Sequence, residues 1–258
     1  ENSNASARQR GRLCYNGIMQ MSKEELEKSE SARKFIKDNE ELLISKFCNR
    51  TDYPPDDNPV SLFMAGAPGA GKTEFSKNLI KFFEKMFRPA KIVRIDPDEI
   101  RDLLPEYKGN NSNLFQGACS LGVEKIHDFV LRNNQNFTLD GTLVNYDKAI
   151  SNIKRSIEKG REVSIFFVYQ EPLIAWEFTK KREEIEHRNI PKDSFIKAFI
   201  DSRKNANEIK KYFKDKINLN LIIKNYKNNT EHIESDIDSV DRFIDRLYNE
   251  NELENTLS

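Results

Sequence analysis

A chain of 258 residues, 33% charged and 37% hydrophobic, has the size of one α/β domain plus an accessory segment, with a well-solvated surface around a real core. Lysine plus arginine equals aspartate plus glutamate at 42 each, so no global field draws the chain to nucleic acid or to an anionic membrane. No run approaches the roughly 18 apolar residues that a membrane-spanning helix needs, and no signal peptide is evident. Cys14, Cys48 and Cys119 are scattered and odd in number, against a disulfide framework or a zinc site and for a reducing, cytoplasmic setting. His127, His187 and His232 are equally dispersed.

Residues 1–20 lack periodicity and read as an appended tag or a flexible arm, with Met19 or Met21 a sensible natural start. A second segment, 21–57, is helical. Ser22 and Glu25 form a capping box, and Leu26, Phe35, Ile36, Leu42, Leu43 and Phe47 predict one amphipathic helix over 22–47. The proline-rich stretch 52–59 ends it as a stiff linker. The remainder, 58–258, alternates strands and helices. Strands are expected at 60–65, 91–95, 136–139, 163–169 and 219–224. Helices are expected at 74–85, 114–131, 148–158, 173–186, 192–212 and 237–249. That alternation predicts an α/β fold with a five-stranded parallel sheet, helices on both faces and ligands at the C-terminal strand ends.

The most informative stretch follows the first strand. Gly66, Ala67, Pro68, Gly69, Ala70, Gly71, Lys72 and Thr73, trailed by Glu74, fit G-x-x-x-x-G-K-[ST]. Its glycines let backbone N–H groups close around nucleotide phosphates, and the strand–loop–helix context that the motif requires is present. The expected ligands are ATP and magnesium. The second strand ends at Asp96-Pro97-Asp98. In extended chain, residues two apart face one side, so one carboxylate can serve the metal and the other can accept a hydroxyl proton. Asp96 is assigned to the metal with Thr73, and Asp98 to the base. Capping a helix that starts at Glu99 is the lesser alternative for Asp98 and is compatible with the base role.

Asp140, Gly141 and Thr142 put another acid and a hydroxyl at the tip of the third strand, where an ordinary turn would also explain Asp-Gly. Segment 179–188 is rich in both signs. Such runs are commonly solvated helix faces, but phosphoryl transfer needs cations, and Arg182 and Arg188 are the candidates.

In combination and order these pieces resemble the zeta-toxin family of P-loop kinases over residues 58–225: the glycine loop through Glu74, the stretch from Arg94 to Arg101 followed by Leu104 and Pro105, Leu139 to Thr142, and the Arg182/Arg188 segment. The resemblance implies a toxin of a toxin–antitoxin system that phosphorylates UDP-N-acetylglucosamine or a related amino sugar. Lys72, Asp98, Arg182 and Arg188 would be catalytic, and Glu124, Asp140 and Thr142 would contact substrate beside Asp98. The family's Glu-Gly-Thr is Asp140-Gly141-Thr142 here, a carboxylate one methylene shorter. A small helical antitoxin silences such toxins. The helix at 22–47 either supplies inhibition in cis or completes the core, and its apolar stripe favours the core. Two alternatives remain at this point: another hydroxyl acceptor (a nucleoside, an antibiotic or an RNA end), or a nucleotide-gated binding module without transfer chemistry.

Overall fold

The computed structural model describes residues 21–87, 90–227 and 229–257; the tag or arm expected at 1–20 lies outside them. A six-stranded sheet has the order β2-β3-β1-β4-β5-β6. Its strands are β1 (Val60–Ala65), β2 (Ile92–Ile95), β3 (Asn136–Leu139), β4 (Glu162–Tyr169), β5 (Asn218–Lys224) and β6 (Thr230–Glu234). The first five are parallel in this sheet, as the alternation predicts, and β6 adds antiparallel to β5. The expected count of five is corrected to six. Strand β6 reads Thr-Glu-His-Ile-Glu and is mostly exposed, so it has the polar composition of an edge and none of the apolar pattern of a core strand.

Alternation along β1 divides the core. Phe63 and Ala65 face a large cluster, whereas Leu62 and Met64 face the other side. On that second side lies α3 (Lys72–Met86), which contributes Phe75, Leu79, Ile80 and Phe83. On the first side pack α5 (Ser112–Arg132), α6 (Tyr146–Glu158) and α8 (Lys192–Phe213). A third cluster joins α7 (Pro172–Glu186), α8 and α9 (Glu250–Thr256) through Trp176, Phe195, Phe199 and Leu253, and it includes Ala67 of the glycine loop.

The N-terminal segment differs from expectation in one respect. The capping box at Ser22 forms, but the helix breaks at Asn39 into α1 (Lys23–Asp38) and α2 (Glu40–Phe47). At Asn39 the backbone leaves the helical region (φ −115°, ψ 37°), and its side chain joins its own N–H in donating to the Phe35 carbonyl, at 2.8 Å. The break lets Ile36, Leu43 and Phe47 all enter the main cluster. The chain that follows is stitched to β3. Gln135 donates to the carbonyls of Cys48 (2.8 Å) and Tyr53 (2.6 Å), and the Asn136 amide donates to Asp56 at 2.9 Å.

The helix expected at 237–249 does not form. Val240 and Ile244 are buried, together with Ile237, but Phe243 and Leu247, expected on the same helical face, are exposed, and the segment makes other bonds. Ile237 donates to the Leu219 carbonyl and Val240 to the Asn207 side chain, leaving a short 3₁₀ turn, Val240–Arg242. The final helix begins at Glu250 instead, with a capping box from Asn249 and Glu252.

Two measurements check this packing. Ile36→Ala should cost about 2–5 kcal/mol in urea denaturation; a loss below about 1 kcal/mol would show that α1 is not part of the core. His127 is fully enclosed against Phe137, and burial drives its imidazole down to about 3. The unfolded chain therefore takes up this proton near pH 6.5 while the folded chain refuses it. Stability relative to His127→Leu should fall by up to about 1.4 kcal/mol per pH unit from about 6.5 toward 3. A difference independent of pH contradicts that burial.

Candidate active site

The glycine loop bridges β1 and α3. Gly66, Gly69 and Gly71 all have positive φ, at 128°, 72° and 85°. At Gly66 a Cβ would collide with the Val168 carbonyl, and at Gly69 with the carbonyl of Ala175 on α7. The loop is thus pressed between the tip of β4 and α7. Helix α3 starts at Gly71 without a side-chain cap. Its first N–H groups and helix dipole suit an anionic ligand. Lys72 donates from Nζ to the carbonyls of Gly66 (2.9 Å) and Ala67 (2.7 Å) across its own loop. Lost hydration pulls its ammonium down to about 8, opposed most by Asp140.

Asp98 lies on α4 (Pro97–Arg101), a five-residue helix at the end of β2. Its cap is Asp96, whose Oδ1 accepts the Asp98 N–H at 2.8 Å. Capping by Asp98 itself is thereby corrected: Pro97 occupies the first helical position, so the cap falls one residue before it. Three arginines meet the Asp98 carboxylate. Arg101 pairs with Oδ1 from the same helix. Arg188 approaches Oδ1 at 2.6 Å, and Arg182 approaches Oδ2 at 2.9 Å. Arg182 is on α7, and Arg188 follows His187, which turns the chain at the helix end with φ 57°. Burial works to raise the Asp98 carboxyl, but Arg188, Arg101 and Arg182 outweigh it and hold the group below the ordinary carboxylate range.

Asp140 follows β3, beside β1. Its Oδ2 accepts from Arg94 (2.6 Å) and Ser76 (3.1 Å), while its Oδ1 is buried without a partner. Burial pushes this carboxyl up to about 6. Arg94, on β2, also pairs with Asp96 and Glu99, so one guanidinium gathers three acids. The sequence reading gave Arg94 no role. A signal was present: an arginine placed between Val93 and Ile95 in a buried strand, two residues from an acid, needs a counter-charge. Thr142 lies next to the glycine loop, its carbonyl accepting the Gly66 N–H at 3.4 Å. Glu124 is half-exposed and pairs with Lys148 and Arg155 of α6.

For magnesium, the chain offers the Thr73 hydroxyl at the start of α3, with Ser76 and the orphaned Asp140 oxygen one turn further along. Both oxygens of Asp96 already accept a hydrogen bond, from Arg94 and from the Asp98 N–H. No cluster of three or more acidic, histidine or cysteine ligands occurs among the described residues.

A glycine cradle between a parallel strand and a helix start, closed by a lysine and flanked by acids at neighbouring strand tips, defines a P-loop nucleotide-binding protein. Residues 45–238 match the family model described as Zeta toxin, and the chain belongs to that family. Among solved structures it is similar to a chain from the PezAT chromosomal toxin–antitoxin system of Streptococcus pneumoniae. The TM-score is 0.56 at 19% identity, covering 83% of this chain and 81% of that one. It is also similar to a chain of AvrRxo1-ORF1:AvrRxo1-ORF2 with sulphate ions (TM-score 0.53, 15% identity, 90% and 71% covered). The same complex with ATP gives a TM-score of 0.51 at 14% identity, with 80% of this chain and 63% of that one covered. At these identities the likeness is one of fold. A comparison with curated proteins gave no match. No helix among the described residues is long and apolar enough to cross a membrane.

The Arg94 knot yields a prediction. Arg94→Met leaves Asp96 and Asp140 as nearly buried acids without their cation and should cost about 3–5 kcal/mol in thermal or urea unfolding. A loss below about 1 kcal/mol would mean that the three acids do not depend on it.

Proposed function

We propose that the protein is an ATP-dependent kinase that phosphorylates a sugar hydroxyl, with UDP-N-acetylglucosamine or a related amino sugar nucleotide as acceptor. The observation that carries this reading is the Asp98 carboxylate under three arginines, beside a phosphate cradle. Three guanidiniums face two carboxylates, Asp98 and the Glu186 that Arg182 also meets, which leaves an excess of one positive charge, suited to a transferring phosphoryl group.

In this reading Lys72 and the loop N–H groups hold the β- and γ-phosphates. Asp98 accepts the proton of the acceptor hydroxyl as its oxygen bonds to the γ-phosphorus. The bond from that phosphorus to the β–γ bridging oxygen breaks, and ADP leaves. Arg182 and Arg188 neutralise the oxygens of the moving group. Magnesium, held by Thr73 and phosphate oxygens with Asp96 behind water, would supply charge neutralisation between the β- and γ-phosphates.

The family supports action as a toxin, and a separate antitoxin is the proposed partner. The burial of Ile36, Leu43 and Phe47 favours a packing role for α1 and α2 over inhibition in cis. Balanced charge supports a small-molecule acceptor over RNA, and the cysteine pattern supports a cytoplasmic setting. One observation favours a second reading, a different hydroxyl acceptor. Asp140, where the family carries a longer acid, is occupied by Arg94 and Ser76. Contact with the acceptor would then pass to Thr142, and Glu124 would stay with α6.

The test joins a variant with a substrate panel. Asp98→Asn should preserve ATP affinity while phosphotransfer falls about 10²–10⁴-fold. Incubation with ATP, magnesium and a set of UDP-sugars should show a gain of one phosphate by mass spectrometry. No gain on any sugar nucleotide rejects that acceptor class and promotes the second reading. Full cellular activity in Asp98→Asn would leave only a nucleotide-gated binding role.

A further inference from the structure

The three arginines on Asp98 are not equivalent. Arg182 is 47% exposed and divides itself between Asp98 and Glu186, whose Oε1 accepts from Nε at 2.7 Å. Arg188 stands beyond the end of α7 on a chain turned by His187. Arg101 is 2% exposed. Its Nη1 pairs with Asp98, its Nη2 donates to Gln116 Oε1 at 3.2 Å, and its guanidinium lies 6.0 Å from the centre of the Tyr107 ring.

That seat is built by close helix packing. A Cβ at Gly122 of α5 would fall 2.7 Å from Ile100, the neighbour of Arg101, so α4 and α5 touch where only glycine fits. Gly117, next to Gln116, is covered by the Arg33 guanidinium of α1. The backbones carrying Arg101 and Gln116 are therefore fixed relative to each other, with α1 behind them.

We propose that Arg101 is a positioning residue: anchored by Gln116, it holds the Asp98 carboxylate in place while Arg182 and Arg188 are left to follow the phosphoryl group. The inference rests on the kinase reading and adds a division of labour to it. If Arg182 and Arg188 are drawn to phosphate oxygens, Asp98 would lose every cation that orients it but for Arg101. Arg101 remains, because burial, Gln116 and Tyr107 leave its guanidinium no other place. A planar fork is required, since one side chain must meet Asp98 and Gln116 through different nitrogens.

The test compares wild type, Arg101→Lys and Gln116→Met by steady-state kinetics, with water as acceptor where no sugar serves. Arg101→Lys keeps the charge but cannot serve both partners. Its kcat should fall at least about tenfold, while KM for ATP and for the acceptor stays within about twofold, because misplacement of a reacting group is felt in the chemical step. Gln116→Met conserves volume and removes only the anchor; kcat should fall severalfold with thermal stability unchanged. Should Arg101→Lys not fold, Gln116→Met decides alone. Wild-type kcat in the variants, or a rise in KM that accounts for the loss, overturns the positioning role. A wild-type protein that transfers phosphate to nothing removes the kinase reading and this role with it. An active wild type matched by both variants removes the positioning role only.

Discussion

One carboxylate shared by three guanidiniums organises this protein. Asp98 is brought to the tip of β2 by a five-residue helix, while Arg182 and Arg188 arrive from α7. The same helix α7 also presses on the glycine loop at Gly69. The glycine loop, Asp98 and α7 are therefore mechanically connected, and a shift of α7 would be felt at both Gly69 and Asp98. Such a cluster is costly to build, because each charge surrenders water and regains it only through its partners. Exposure falls from Arg182 at the surface to Arg101 in the interior, so the cost is greatest where the partner never needs to move.

A second knot lies alongside the first. Arg94 binds Asp96, Glu99 and Asp140, tying the tip of β2 to that of β3 and, through Ser76, to the first turns of α3. With this cation in place the strand ends can carry several acids without repelling one another apart. The two knots differ in reach. Arg94 couples sheet to nucleotide loop, whereas Asp98 couples sheet to α7. Together they set Asp96, Asp98, Glu99 and Asp140 each against an arginine, an electrostatic condition that favours bringing in a polyanion.

Much of this was legible in the chain. The glycine loop declared itself because its backbone needs positive φ at fixed positions. Asp98 was singled out on the premise of extended chain, two residues apart on one side, but Pro97 starts a helix there and Asp96 caps it, so the acid reaches its arginines from α4. The five parallel strands followed from short apolar runs alternating with segments of helical spacing. What escaped has a common physical origin. Arg101 looks like an ordinary helix charge, and only burial reveals its commitment to Asp98 and Gln116; Arg94 stands out within an apolar strand, but its bond to Asp140 joins strands that no local pattern connects. Strand β6 is polar because an edge has little to bury. Segment 237–249 has helical spacing, yet its N–H groups are claimed by Leu219 and Asn207, a competition that no local pattern records. Asn39 shows the reverse: the backbone leaves the helical region at this one residue and divides a helix whose apolar stripe runs unbroken.

The most direct measurement is a crystal structure of the protein with magnesium and a non-hydrolysable ATP analogue. The account predicts that the γ-phosphate lies within contact of Lys72 and that Arg182 and Arg188 have left Asp98 for its oxygens. Asp98 should keep its bond to Arg101 and face the γ-phosphorus. A triphosphate seated away from the glycine loop, or an Asp98 turned from the phosphate with all three arginines still upon it, would contradict the account.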